Sequence, residues 1–199
     1  GPCKESRVRL AVDLSREGIP YSTIAGAFFS ACEQIAFPLF WKILRLMLLD
    51  LDGAWNGLDL RRVDARAWGP RLRFSTPARE AERFYREVVS ALPDFVLYGS
   101  GDFHHLSAVW IRQFREPFTL LSFDNHPDWD IRPPYWSAGA WINRALENPS
   151  VKSIAVWGCG NFECSFPARF LGNRRAAKTH RLLVYPWRQR RVRYPAYLN

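Results

Sequence analysis

The stretch Pro117 to Asp130, P-F-T-L-L-S-F-D-N-H-P-D-W-D, constrains this chain more than any other. Its first half, Phe118 to Phe123, is an apolar run of strand-forming residues. Its second half places Asp124, His126, Asp128 and Asp130 within seven positions. Side chains alternate faces along a strand, so Asp124, His126 and Asp128 are expected on one side as the strand leaves the sheet. The carboxyl ends of strands in open α/β sheets are where ligands bind. Carboxylates and an imidazole converging there need protons or a cation between them, and a divalent metal meets that need. An acidic loop in water, or aspartates capping a helix, is the competing reading. Asp130 is an extra acid beside the group, placed to bind substrate, to orient a ligand or simply to face solvent.

The pattern around this stretch is strand, helix, strand. Leu48 to Asp52 reads as a short buried strand ending in aspartates, with Gly53 as its turn. Arg71 to Phe74 is expected as a further short strand. Thr76-Pro77 supplies a hydroxyl cap and a first-turn proline. Ala81, Phe84, Tyr85, Val88 and Leu92 then line one face of a helix. Asp94 to Tyr98 is a buried strand with Gly99-Ser100-Gly101 as its turn, and His104 to Phe114 a helix. Ser137 to Leu146 is expected as a helix, Val151 to Trp157 as a buried strand, and Arg181 to Tyr185 as one more. Strands alternating with helices at this spacing predict βαβ units and a mainly parallel sheet.

D-N-H-P-D resembles the D-A-H-x-D signature of the arginase, agmatinase and formiminoglutamase family, the ureohydrolases. Gly99-Ser100-Gly101-Asp102-Phe103-His104-His105 resembles that family's G-G-D-H box with one extra residue. The resemblance covers about residues 47 to 165. It implies an arginase-like, three-layer α/β/α fold present here in its N-terminal portion, and a metal-dependent hydrolase cleaving a C–N bond of a guanidino or amidino compound. In that family two Mn²⁺ ions hold the attacking hydroxide. Resemblance makes His104, Asp124, His126 and Asp128 the metal ligands, with Asp124 bridging; Asp128 and Asp130 are the candidate catalytic residues. Aligning H-H-L-S with the family's H-S-L-x selects His104 over His105, and a shift of one exchanges them. The family's S-x-D-x-D box, source of two further ligands, is missing after Asp130, so one Mn²⁺ at most is expected. Trp141 stands in the segment where many members carry a histidine. The related zinc-dependent deacetylases, which share the fold and a D-x-H box, are the alternative enzyme class.

Composition limits the remaining readings. A content of 48% hydrophobic and 15% aromatic residues argues against disorder. Residues 164 to 199 hold nine of the 28 Lys and Arg and no acid, so the net charge of +9 resides in a basic tail, residues 166 to 199. Arg188, Arg190, Arg191 and Arg193 alternate there with Tyr185, Trp187, Tyr194 and Tyr197, which makes a non-catalytic nucleic-acid binder the rival from another class. Cys3, Cys32, Cys159 and Cys164 show no disulfide framework, and a reducing, cytoplasmic compartment is expected. Charges and Pro38 within the apolar run Ala25 to Leu49 argue against a membrane span. Residues 1 to 46, opening on Gly1-Pro2, are expected to be an extension adding little to the sheet. A small guanidino or amidino compound is the expected partner, and a homo-oligomer is compatible with the chain.

Overall fold

The computed structural model describes the backbone of residues 8–12 and, more fully, residues 46–89, 92–93 and 95–186. The apolar N-terminal run also suggests a helix over about Ser22 to Leu46; that stretch and the arginine-rich end fall outside these residues, except for Leu46, which opens a strand. Seven strands are present among them: β1 (Val8–Val12), β2 (Leu46–Asp50), β3 (Arg62–Asp64), β4 (Phe95–Tyr98), β5 (Phe118–Phe123), β6 (Val151–Cys159) and β7 (Leu182–Pro186). All pair in parallel, but in two sheets, ordered β3-β2-β4 and β1-β5-β6-β7. The chain is therefore a mixed α/β protein built on open parallel sheets. Val8–Val12 pairs with β5 from Val8 opposite Thr119 to Val12 opposite Phe123. This corrects the expectation that the first 46 residues stay out of the sheet.

The helices are short: α1 (Gly69–Leu72), α2 (Ala78–Glu87), α3 (Ser107–Trp110), α4 (Trp141–Leu146) and α5 (Arg174–Lys178). Helix α1 replaces the strand expected at Arg71 to Phe74. Pro70 suits a first helical turn, and Gly69 has no Cβ to strike the Leu51 carbonyl. Helix α2 begins at Ala78 with Pro77 at its cap, and the buried Thr76 hydroxyl makes no capping bond. The helix expected from His104 to Phe114 is broken into a 3-10 turn over Gly101–Leu106, then α3, then a second 3-10 turn over Ile111–Gln113. The helix expected from Ser137 starts only at Trp141.

One hydrophobic cluster ties the two sheets together. It includes Leu49 of β2, Phe84 of α2, Val109 of α3, Leu120 of β5, Ile142 of α4, and Ile154 and Val156 of β6. Strand β5 alternates, with Phe118, Leu120 and Ser122 buried and Thr119 and Phe123 exposed. Burying a side chain such as Leu120, which has no exposed surface, contributes on the order of 1.5–3 kcal/mol. Helix α4 lies between β5 and β6 in the chain and packs against α3 and β6. That arrangement sets the start of α4 beside the end of β5, where the acidic residues emerge.

Candidate metal centre

Three loops meet at the site, each fixed by its own chemistry. The first follows β4. Gly99 adopts φ 42°, in the left-handed region, and a Cβ there would strike the buried Phe103 ring. Only glycine suits both demands. The Gly99 carbonyl accepts from the Trp55 indole at 2.8 Å, and Ser100 Oγ donates to Asp52 at 2.7 Å. Asp102 turns away to pair with Arg73 at 2.5 Å. The turn that follows presents His104, whose Nδ1 lies 2.5 Å from the Gly101 carbonyl.

The second loop leaves β5. Asp124 Oδ1 accepts the His126 backbone N–H at 2.8 Å, so the chain turns immediately after Phe123 and strand alternation ends there. Asp128 has φ 46°, a left-handed conformation that aspartate tolerates better than most residues. Trp129 is buried, and its ring lies where a Cβ on Gly172 would project. The third loop enters α4, whose Ile142 N–H donates to the Asp128 carbonyl at 3.2 Å and whose Trp141 indole donates to Asp128 Oδ2 at 2.7 Å.

These loops bring His104, Asp124 and Asp128 together, with one ligand atom from each lying within 4.8 Å of the others. His104 Nε2 is 3.1 Å from Asp128 Oδ2. Asp124 and Asp128 are 6% and 3% exposed, so two carboxyl groups occupy nearly dry space. Burial pushes Asp128 well above the ordinary carboxylate range, and the negative Asp124 adds to the rise while His104 opposes it. Burial also acts to raise Asp124, but His126, the Asp128 carboxyl and the charge of His104 outweigh it and hold it low. Asp124 Oδ2 is buried without a hydrogen-bond partner. An orphaned carboxylate oxygen beside a second carboxyl and an imidazole suits a divalent cation.

The other candidate residues are not members of this group. His126 is about half exposed, with Nδ1 3.6 Å from Asp124 Oδ1, and hydrogen bonding to Asp124 raises its pKa. Period-two alternation does not carry it onto the face shared by Asp124 and Asp128, because the backbone is no longer extended. Asp130 is engaged by Arg132, 2.6 Å from Nη2, and that pairing lowers its pKa. It borders an open cleft of about 480 Å³ that also takes in Asn143, Arg144 and Arg181. His105 is fully buried and points elsewhere than His104, their rings nearly perpendicular. Burial, with the nearby His104 charge, pushes its pKa down to about 3. Its ring nitrogens have no well-aligned hydrogen-bond partner, and only the nearby Leu72 backbone opposes the fall.

Cys159 and Cys164 are buried free thiols, and Cys159 is pushed upward by its neighbour Cys164 and by burial. A thiol held protonated is a poor metal ligand, and neither cysteine takes part in the group. Tyr185 stacks on Trp157 with ring centroids 5.5 Å apart. The arginines and aromatics from Trp187 onward lie outside the described residues. Among the described residues no helix is long and apolar enough to cross a membrane.

Fold and site together define a mixed α/β protein with a buried His-Asp-Asp group able to hold a metal ion. In sequence the chain is similar to an uncharacterized protein of Thermotoga maritima, with 32% identity over 75 residues, 36% of this chain. The match spans 31% of the length of that relative. No family model and no solved structure matches the chain.

Proposed function

We propose that this chain carries the metal site of a hydrolase of the ureohydrolase type, in an arginase-like α/β/α framework, acting on a C–N bond of a guanidino or amidino compound. The observation that carries the reading is the convergence of His104, Asp124 and Asp128 around the partnerless Asp124 Oδ2. Its hard oxygen donors with one imidazole favour Mn²⁺ over a thiolate-rich zinc site. A bound ion supplies a water of lowered pKa as the nucleophile. Asp124 and Asp128 would hold the ion by carboxylate oxygens and His104 by Nε2. Asp130, which lines the neighbouring cleft, would meet a cationic substrate if Arg132 released it.

Three ligand residues suffice for one ion with water completing its coordination, and a second ion would need more negative charge nearby. We therefore expect little urea from arginine or agmatine. The test is a panel of guanidino and amidino compounds supplied with Mn²⁺, with urea or ammonia release as the readout. Slow release from at least one compound, absent without Mn²⁺ and absent in Asp124→Asn, is the expected result. A flat panel, or release indifferent to Mn²⁺, contradicts the hydrolytic reading. A second reading, a zinc-dependent deacetylase, is favoured by the single-ion size of the group. Retention of Zn²⁺ in preference to Mn²⁺, with deacetylation of an acetylated amine, would select it.

A further inference from the structure

Trp141 touches two of the three candidate ligands. Its indole Nε1 donates to Asp128 Oδ2 at 2.7 Å, and its ring meets the His104 ring edge-on, centroids 6.4 Å apart. The residue is 2% exposed, at the start of a helix whose next N–H, from Ile142, holds the Asp128 carbonyl. Asp128 is thus gripped at backbone and side chain by two consecutive residues of α4. His104 is gripped from its other side by the Gly101 carbonyl, which fixes Nδ1, while Nε2 faces Asp128 Oδ2 at 3.1 Å and the Ala138 carbonyl at 3.2 Å.

We propose that Trp141 is a positioning residue for the metal centre, and this rests on the metal reading above. The indole N–H occupies one lone pair of Asp128 Oδ2. It thereby holds the carboxylate in one rotamer and biases it toward binding an ion through a single oxygen. The ring wall keeps His104 from swinging away from the ion. Groups that orient ligands in this way tune metal affinity about 10- to 100-fold. A simple packing role would make no use of the N–H, whereas positioning requires it.

Co²⁺ is the probe, because its visible spectrum reports coordination number and geometry. Three chains are compared: the unmodified protein, Trp141→Phe, and a chain with benzothienylalanine at position 141, which keeps the indole shape but replaces N–H by sulfur. Positioning predicts that both altered chains bind Co²⁺ about 10- to 100-fold more weakly and with a changed visible spectrum. The benzothienyl chain should do so while retaining the thermal midpoint of the metal-free protein. Unchanged affinity and spectrum in the benzothienyl chain would overturn the role of the N–H, even if Trp141→Phe failed to fold. No Co²⁺ binding by the unmodified chain would instead overturn the metal reading, and the proposal with it.

Discussion

Asp128→Asn is expected to strengthen the metal-free chain while removing its response to metal. Asparagine keeps an oxygen for the Trp141 indole and loses the charge buried next to Asp124. Because burial raises the Asp128 pKa in the folded chain, its contribution to stability is present at low pH and is lost as pH rises from 3.8 through the folded value. At neutral pH the variant should therefore be more stable than the unmodified chain by about 1–3 kcal/mol, the order of the cost of a buried charge that its hydrogen bonds only partly offset. Excess Mn²⁺ should reverse the ranking. A ligand at 100 times its Kd adds about 2.7 kcal/mol to the chain that binds it and nothing to one that does not. Denaturant melts with and without Mn²⁺ check both halves. A variant less stable than the unmodified chain in the absence of metal would mean that Asp128 serves packing rather than a ligand site.

The second large effect concerns His105. Its folded pKa, about 3, lies below the ordinary value of 6.5, so the unfolded chain takes up the proton first as pH falls. Stability is thus lost from about pH 6.5 downward, by about 1.4 kcal/mol for each pH unit. His105→Leu removes that penalty and gives up only a weak contact with the Leu72 backbone. We expect the variant to lie within about 1.5 kcal/mol of the unmodified chain at pH 7, and to overtake it by about 2–3 kcal/mol near pH 4.5. Asp128 titrates in the opposite sense over part of this range, so the difference between the two chains, followed across pH, is the informative quantity. A difference that does not change with pH would show that folding leaves the titration of His105 unaltered.

The contrast between these two histidines illustrates what the sequence could and could not convey. Adjacent residues in a tight 3-10 turn diverge, and the sequence alone leaves either able to be the ligand. Their fates are decided by Gly101, whose carbonyl fixes His104, and by a core that encloses His105. Strand β5 was legible to the residue, because an apolar run bounded by Pro117 and Asp124 has no other economical fold. Strands β6 and β7 followed for the same reason, within two residues at their ends. The division into two sheets was not legible, since strand pairing is set by contacts far apart in sequence.

At the site, residue types were informative and strand geometry misled. Alternation predicted one face for Asp124, His126 and Asp128, but the Asx turn at Asp124 ends the extended backbone, and the left-handed Asp128 re-aims its carboxyl. His126 is consequently left on the rim of the group. Trp141 carried one signal, a tryptophan in the segment where the resembling family often has a histidine. Its hydrogen bond to Asp128 spans 13 positions and could not be read from spacing.

The central claim is that His104, Asp124 and Asp128 form one metal site. Calorimetric titration of Mn²⁺ into the metal-free chain, alongside His104→Ala and Asp124→Ala, tests it most directly. One weak site per chain, lost in both variants, is the expected result. No binding, or binding that survives both substitutions, would contradict it.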